Sequence, residues 1–264
     1  MSPGAVAAAR RRVVGVLGGM GPLATADFYT KLVRLTPARR DQDHLHVIID
    51  SDPTIPDRTA AVLGAGPDPT PALVAAARRL VRAGADLIAI PCNSAHVFLD
   101  AIRRAAGIPV LDLAEEVAAA ASRLRPAPRR VGLLATTATV RAGLYHRAFE
   151  ARGITVVEPD PAHQERVMGA IRAIKAGDLG PAVRGRVREA AAALVRSGAR
   201  AIVLGCTELP LVAGARWAAV PVLDGTEILA RAVIREAGEF PRASRRSHKA
   251  HLTTQGPAEP VRRT

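Results

Sequence analysis

The sequence predicts an α/β fold of two pseudo-symmetric domains, each a mostly parallel sheet flanked by helices, with the functional cleft between them. Three observations carry this. Short apolar runs alternate with helical stretches of about 10–15 residues, the order that builds crossover units and parallel sheets. The chain also repeats itself: Gly84-Ala85-Asp86-Leu87-Ile88 returns 114 residues later as Gly198-Ala199-Arg200-Ala201-Ile202. Finally, its two cysteines, Cys92 and Cys206, are separated by the same 114 residues, each closing an apolar run just before a polar turn. A duplicated unit that presents one thiol from each half points to a site with a sulfur on either side.

Residues 13–17 read as the first strand, Gly18 to Pro22 as a tight turn, and Ala24 to Leu35 as a helix, with Pro22 suited to its first turn. His46 to Asp50 is a second strand and Ser51 to Asp68 a Pro/Gly-rich loop. Pro71 to Ala83 is a helix stopped by Gly84, Asp86 to Ile90 a strand, and Ser94 to Ala106 a helix. Val110-Leu111 begins a further strand or crossover. The second half replays the order. It has a strand at Arg130 to Ala135, a turn at Thr136 to Thr139, a helix at Val140 to Arg152, a short strand at Val156-Val157, helices at Gln164 to Ala176 and Gly180 to Ser197, and a strand at Ala201 to Leu204. In parallel sheets, functional loops lie beyond the carboxyl ends of the strands, and both cysteines and both early turns fall there.

The predicted domains are residues 13–112 plus about 221–238 for the first and 113–220 for the second. A flexible N-terminal arm, 1–12, and a disordered basic tail, 241–264, flank them, the tail lacking any apolar period. No apolar stretch approaches the roughly 20 residues of a membrane span. The small residues of Met1 to Ala9 precede Arg10-Arg11-Arg12, the reverse of a signal peptide, so a cytoplasmic protein with reduced thiols is expected. The formal charge of +13 is carried by arginines scattered over helix faces, with aromatics only 3% of the chain. That pattern fits a solvated surface, and no specific nucleic-acid partner is expected.

A thiol at a helix start has its pKa lowered by unpaired N–H groups, and Cys92 precedes Asn93-Ser94 as Cys206 precedes Thr207, all capping types. A lone cysteine is more often a small buried hydrophobe; two at duplicated strand ends favour chemistry. Two isolated cysteines fall short of a zinc site's ligands, and no metal is expected. His96 and Glu208 can tune the thiols or merely cap and pack. Gly19-x-Gly21-x-x-Ala24 meets the loose dinucleotide fingerprint, but no strand ending in an acid follows near residue 35, so the turn reads as a pocket wall. Thr136 and Thr139 suit a carboxylate or a simple helix cap. Arg58, in an irregular loop, can grip a carboxylate in a fork, and Lys175 is one of only three lysines.

Five blocks in this order resemble the aspartate/glutamate racemase family, in particular its aspartate racemase branch. They are Gly18-Gly19-Met20-Gly21-Pro22, Ile55-Pro56-Asp57-Arg58-Thr59, Pro91-Cys92-Asn93-Ser94-Ala95-His96, Leu134-Ala135-Thr136 with Thr139, and Gly205-Cys206-Thr207-Glu208. The resemblance implies an amino-acid racemase that needs no cofactor, often a homodimer, acting on aspartate or on glutamate or a broader set. It makes Cys92 and Cys206 the catalytic pair. It sets Arg58 and Lys175 on the side-chain carboxylate, with Thr136 and Thr139 lining that pocket. Asn93, Ser94 and Thr207 would hold the α-carboxylate, Asp57 would face the ammonium, and Met20 and Thr59 would complete the substrate pocket. Ser94 stands where the family usually has Thr. Two other readings stay open: a superfamily decarboxylase or cis–trans isomerase of a dicarboxylic acid, and a non-catalytic binding protein.

Overall fold

The computed structural model describes residues 10–214 and 217–240. The first half runs β1 (Arg10–Arg11), β2 (Val14–Gly18), α1 (Pro22–Leu35), β3 (Val47–Ser51), α2 (Arg58–Val62), α3 (Thr70–Arg82), β4 (Leu87–Ala89), α4 (Leu99–Ala106) and α5 (Leu113–Ser122). The second runs β5 (Arg130–Ala135), α6 (Thr137–Arg141), α7 (Leu144–Glu150), β6 (Thr155–Val157), α8 (Pro161–Lys175), α9 (Pro181–Arg196), β7 (Ile202–Gly205), β8 (Val222–Asp224), α10 (Gly225–Glu236) and β9 (Glu239–Phe240).

Two parallel sheets result, ordered β3-β2-β4 and β6-β5-β7-β8. An isolated parallel bridge from Ile88 to Val110 takes in the first sheet the place that β8 takes in the second. Strands β2, β4 and β7 are short and buried on both faces, so they read as continuous apolar runs rather than alternating ones. Outer helices cover one face of each sheet: Leu73, Leu80 and Ile102 of α3 and α4 in the first half, and Val167, Val187 and Leu194 of α8 and α9 in the second.

The inner faces share a core. Val14, Phe28 and Ala89 of the first half join Leu133, Tyr145 and Val203 of the second in one apolar cluster. Two crossing helices seal it. Helix α5 leaves the first sheet and packs on α7 of the second half; α10 leaves the second sheet and packs on α1 of the first; and the two pack on each other. Both start on an aspartate cap, Asp112 onto the Ala114 and Glu115 N–H groups and Asp224 onto those of Thr226 and Glu227. Lys31 of α1 fastens the second crossing, with its ammonium 2.7 Å from the Asp224 carboxylate and 2.6 Å from that of Asp27.

Several expectations change. The stretch 221–238 does not return whole to the first domain. Val222 and Asp224 pair in register with Ile202 and Leu204, so β8 belongs to the second sheet, and only α10 reaches across. Of the expected arm, Arg10–Arg11 pair antiparallel with Glu239–Phe240, and the Arg12 N–H donates to the Ala237 carbonyl. Residues 1–9 and the tail from 241 lie outside the described residues. The 51–68 loop contains α2, because Asp57 caps it with a 2.7 Å bond from the Ala60 N–H. The helix expected over 94–106 begins as a tighter turn at Ser94–Phe98, and the one over 140–152 breaks at Gly143, whose φ of 64° is left-handed. Among the described residues, no helix is long and apolar enough to cross a membrane.

Candidate active site

The carboxyl ends of β2, β4, β5 and β7 converge between the halves. Helix α2 packs on α6 and on the Ser94–Phe98 turn, which seats the Asp57-Arg58-Thr59 stretch of the first half against the Thr136–Thr139 turn of the second. A cavity of ≈ 340 Å³ opens there, lined among others by Met20, Gly21, Asp57, Arg58, Lys175 and Glu208. Four residues expected from the sequence, Met20, Asp57, Arg58 and Lys175, thus line one cavity. Cys92 and Cys206 lie deeper, 4% and 5% exposed, with Asn93, Ser94, Thr207 and Thr139 buried around them.

Arg58 is buried and locked. Its Nη1 donates to the carbonyls of Ile55 and Pro56, and its Nη2 to that of Met20 at 3.3 Å. Its Nε is buried without a partner. A guanidinium fixed by three carbonyls, with its Nε–H open, is pre-organised for an anion from the cavity. Lys175 comes from the last turn of α8, an exposed side chain reaching the same space. Desolvation works to lower its pKa, but the negative charge of Glu208, Cys206 and Cys92 outweighs it and holds the ammonium above its ordinary value. The cation is therefore coupled to both thiol sites.

At Cys206 the thiol points to the Glu208 carboxylate, Sγ to Oε2 at 3.0 Å, with the Thr207 hydroxyl at 3.4 Å from the same oxygen. Glu208 Oε1 is buried without a partner. Burial and the Glu208 charge push the Cys206 pKa well up, against the pull of Lys175. The lowered thiol pKa expected for this turn is thus overturned: a carboxylate 3.0 Å away outweighs the free N–H groups of a turn. Glu208, left ambiguous by the sequence, is central to the site; its signal was an acid two residues beyond the cysteine.

The Cys92 turn is held differently. The Leu113 N–H, at the start of α5, donates to His96 Nε2 at 3.1 Å, so the His96 proton sits on Nδ1 and is donated to the Cys92 carbonyl at 2.9 Å. Burial lowers the His96 pKa and keeps the ring neutral. His96 is a brace for the turn, with both nitrogens occupied. Cys92 Sγ has the Ser94 hydroxyl 3.7 Å away. The Asn93 Oδ1 accepts from the Tyr145 hydroxyl at 2.5 Å, and its Nδ2 is buried without a partner. Tyr145 escaped sequence reasoning, since one aromatic on a helix reads as core.

Other expected residues do more local work. The Thr136 hydroxyl caps α6 by accepting from the Thr139 N–H at 3.2 Å, and the two hydroxyls bond to each other at 3.0 Å. They shape the turn below α2 rather than the cavity wall. Asp57 caps α2 while facing the cavity, and Thr59 lies on α2 beside Arg58. The glycine turn is tied by Thr25, whose hydroxyl accepts from the Gly19 N–H and donates to the Gly21 carbonyl.

Three buried polar atoms thus lack partners at this site, on Arg58 and Glu208, which line the cavity, and on Asn93, which follows Cys92. Uncompensated, each such atom costs about 1–3 kcal/mol, which marks a place built for a polar ligand. Residues 17–233 match the family described as Asp/Glu/Hydantoin racemase. The chain is 28% identical to the broad specificity amino-acid racemase RacX of Bacillus subtilis, over 84% of this chain and 96% of that one. It is 36% identical to a glutamate racemase of Roseiflexus, over 55% of this chain and 53% of that one. The solved aspartate racemase of Picrophilus torridus superposes with a TM-score of 0.78 at 32% identity, covering 87% of this chain and 95% of that one.

Proposed function

This chain belongs to the Asp/Glu/Hydantoin racemase family and is an amino-acid racemase; from that premise we propose that its substrate is aspartate, inverted at Cα by Cys92 and Cys206 without a pyridoxal cofactor. The observation that carries the proposal is that Arg58, Lys175 and Glu208 line the same cavity, with the Cys206 thiol bonded to Glu208. Two cations in one small cleft favour a substrate with a second carboxylate. The Picrophilus relative, named for aspartate, supports aspartate ahead of glutamate.

Inversion needs a base on one face of Cα and an acid on the other. In one direction a Cys92 thiolate takes the α-proton, and the Cys206 thiol delivers its own to the opposite face. The reverse direction starts from the state this leaves: the Cys206 thiolate takes the α-proton and the Cys92 thiol delivers the one it holds. Glu208, 3.0 Å from the Cys206 sulfur, is placed to exchange a proton with that sulfur between turnovers. The carbanion charge spreads into the α-carboxylate. The free Asn93 Nδ2 and the Thr207 hydroxyl are the donors for it, buried where water does not screen them. Arg58 Nε and the Lys175 ammonium take the distal carboxylate, and Asp57 takes the ammonium.

The test is Cα deuterium incorporation from heavy water, followed by NMR over aspartate, glutamate and neutral amino acids with no added cofactor. Exchange with interconversion of L- and D-aspartate is expected, at higher kcat/KM than any other substrate. Preference for neutral amino acids would overturn the assignment of Arg58 and Lys175. Interconversion of L- and D-aspartate that survives at the wild-type rate in Cys92→Ala or Cys206→Ala would overturn the two-thiol mechanism.

A further inference from the structure

We propose that Tyr145 is a positioning residue that sets the orientation of the Asn93 amide and holds the two cysteine turns at a fixed spacing, an inference that rests on the cleft being the racemase site. Tyr145 belongs to α7 of the second half and is fully buried. Its hydroxyl crosses to the first half and donates to Asn93 Oδ1 at 2.5 Å. Its ring lies against Gly205: a Cβ placed there would stand 3.1 Å from the Tyr145 Cε2. Asn93 directly follows Cys92, and Gly205 directly precedes Cys206. One rigid ring therefore touches the backbone of one thiol turn and the side chain of the other.

The bond also decides which way the amide faces. Here the phenol donates, with the amide oxygen turned to Tyr145 and the nitrogen turned away. That nitrogen is the buried, partnerless Nδ2, whose N–H groups await an acceptor. Burial, then the nearby negative groups, pushes the Tyr145 pKa far up, so the phenol stays a donor at every working pH. Without the hydroxyl, the amide is free to turn its oxygen toward the substrate carboxylate, replacing attraction with repulsion.

In the repeat, the equivalent core position is filled without a hydroxyl. The register that aligns Val14 with Val131 aligns Phe28 with Tyr145, and the cysteine register aligns Asn93 with Thr207. Phe28 is as fully buried in the shared core as Tyr145 and has no hydroxyl. The same core position is filled in both halves, and only one of them carries the polar link.

Tyr145→Phe keeps the ring and removes only the oxygen. We compare kcat and KM for both enantiomers in the wild type, Tyr145→Phe, Asn93→Ala and the double variant, with thermal unfolding as a check on folding. The expected result is a loss of about tenfold or more in kcat/KM for Tyr145→Phe, shared between kcat and KM. The loss must be equal for the two enantiomers, because racemisation has an equilibrium constant of one. In the Asn93→Ala background the same change is expected to alter kcat/KM by less than about twofold, the signature of a residue acting through Asn93. Wild-type kcat/KM in Tyr145→Phe, or an equal loss in both backgrounds, overturns the proposal. A wild type that racemises no amino acid instead overturns the reading of the cleft, and this inference with it.

Discussion

The position two residues beyond each cysteine carries a hydroxyl in one half and a carboxylate in the other. Ser94 stands 3.7 Å from the Cys92 sulfur, and Glu208 stands 3.0 Å from that of Cys206. The braces differ in the same sense. The Cys92 turn is pinned by a neutral histidine to the start of α5 and by Tyr145 to the opposite half. The Cys206 turn is governed by charge, between Glu208 and Lys175. A duplicated scaffold thus places two sulfurs by symmetry, and breaks the symmetry in the side chains that control their protons. A reaction that runs in both directions must let both thiols give and take. At rest, the surroundings of Cys206 hold its proton in place.

The harshest test of that contrast removes Glu208. Glu208→Gln takes away the charge and the basic oxygen that can hold the thiol proton, so we expect racemisation to fall by about 10²-fold, within the range of a lost general acid–base group. The sign at the thiol is opposite to the effect on rate. Glu208 raises the Cys206 pKa, so its removal lowers it, and Cys206 in a Cys92→Ala background becomes alkylated at lower pH. Unchanged alkylation in Glu208→Gln would mean that the carboxylate does not govern the thiol.

Lys175→Met sharpens the same point from the other side. The cation opposes the upward shift of Cys206, so its loss moves the onset of alkylation to still higher pH. If Lys175 also holds the distal carboxylate, KM for aspartate rises about tenfold, a charge-assisted hydrogen bond at a partly open site. Neutral amino acids should show no such rise, and an equal rise for both classes would remove Lys175 from recognition.

Much of this arrangement was legible in the sequence, and the limits have physical causes. Strands such as Val14–Gly18 and Ile202–Gly205 announce themselves because both faces are buried. The cysteines were found because duplication fixes their spacing. The crossing helices α5 and α10 were not read as helices: α5 is built largely from alanine, and the packing of both across the seam is defined only once the chain has folded. Strand β8 went to the wrong sheet because Val222–Asp224 is too short to declare its neighbour. Thr136 and Thr139 read equally as ligands and as a cap, and the distances favour the cap. Tyr145 was invisible because its hydroxyl finds Asn93 only across the seam between the halves.

The smallest expected effect separates the histidine brace from catalysis. His96 is fully buried and neutral, and its folded pKa lies below the ordinary 6.5 because of burial. The unfolded chain therefore binds a proton that the folded chain refuses. As the pH falls through about 6.5, stability declines, by at most ~1.4 kcal/mol per pH unit from this one group. Above that range the contribution is complete. His96→Gln keeps an acceptor for the Leu113 N–H but does not titrate, so its urea midpoint should lose that part of the acid dependence. Its kcat above pH 7 should stay within about threefold of wild type, since the ring holds the Cys92 carbonyl and not the reacting atoms. A loss of kcat as large as that of Glu208→Gln would place His96 in the chemistry. The two thiol turns would then both be governed by charge, and the contrast between them would fail.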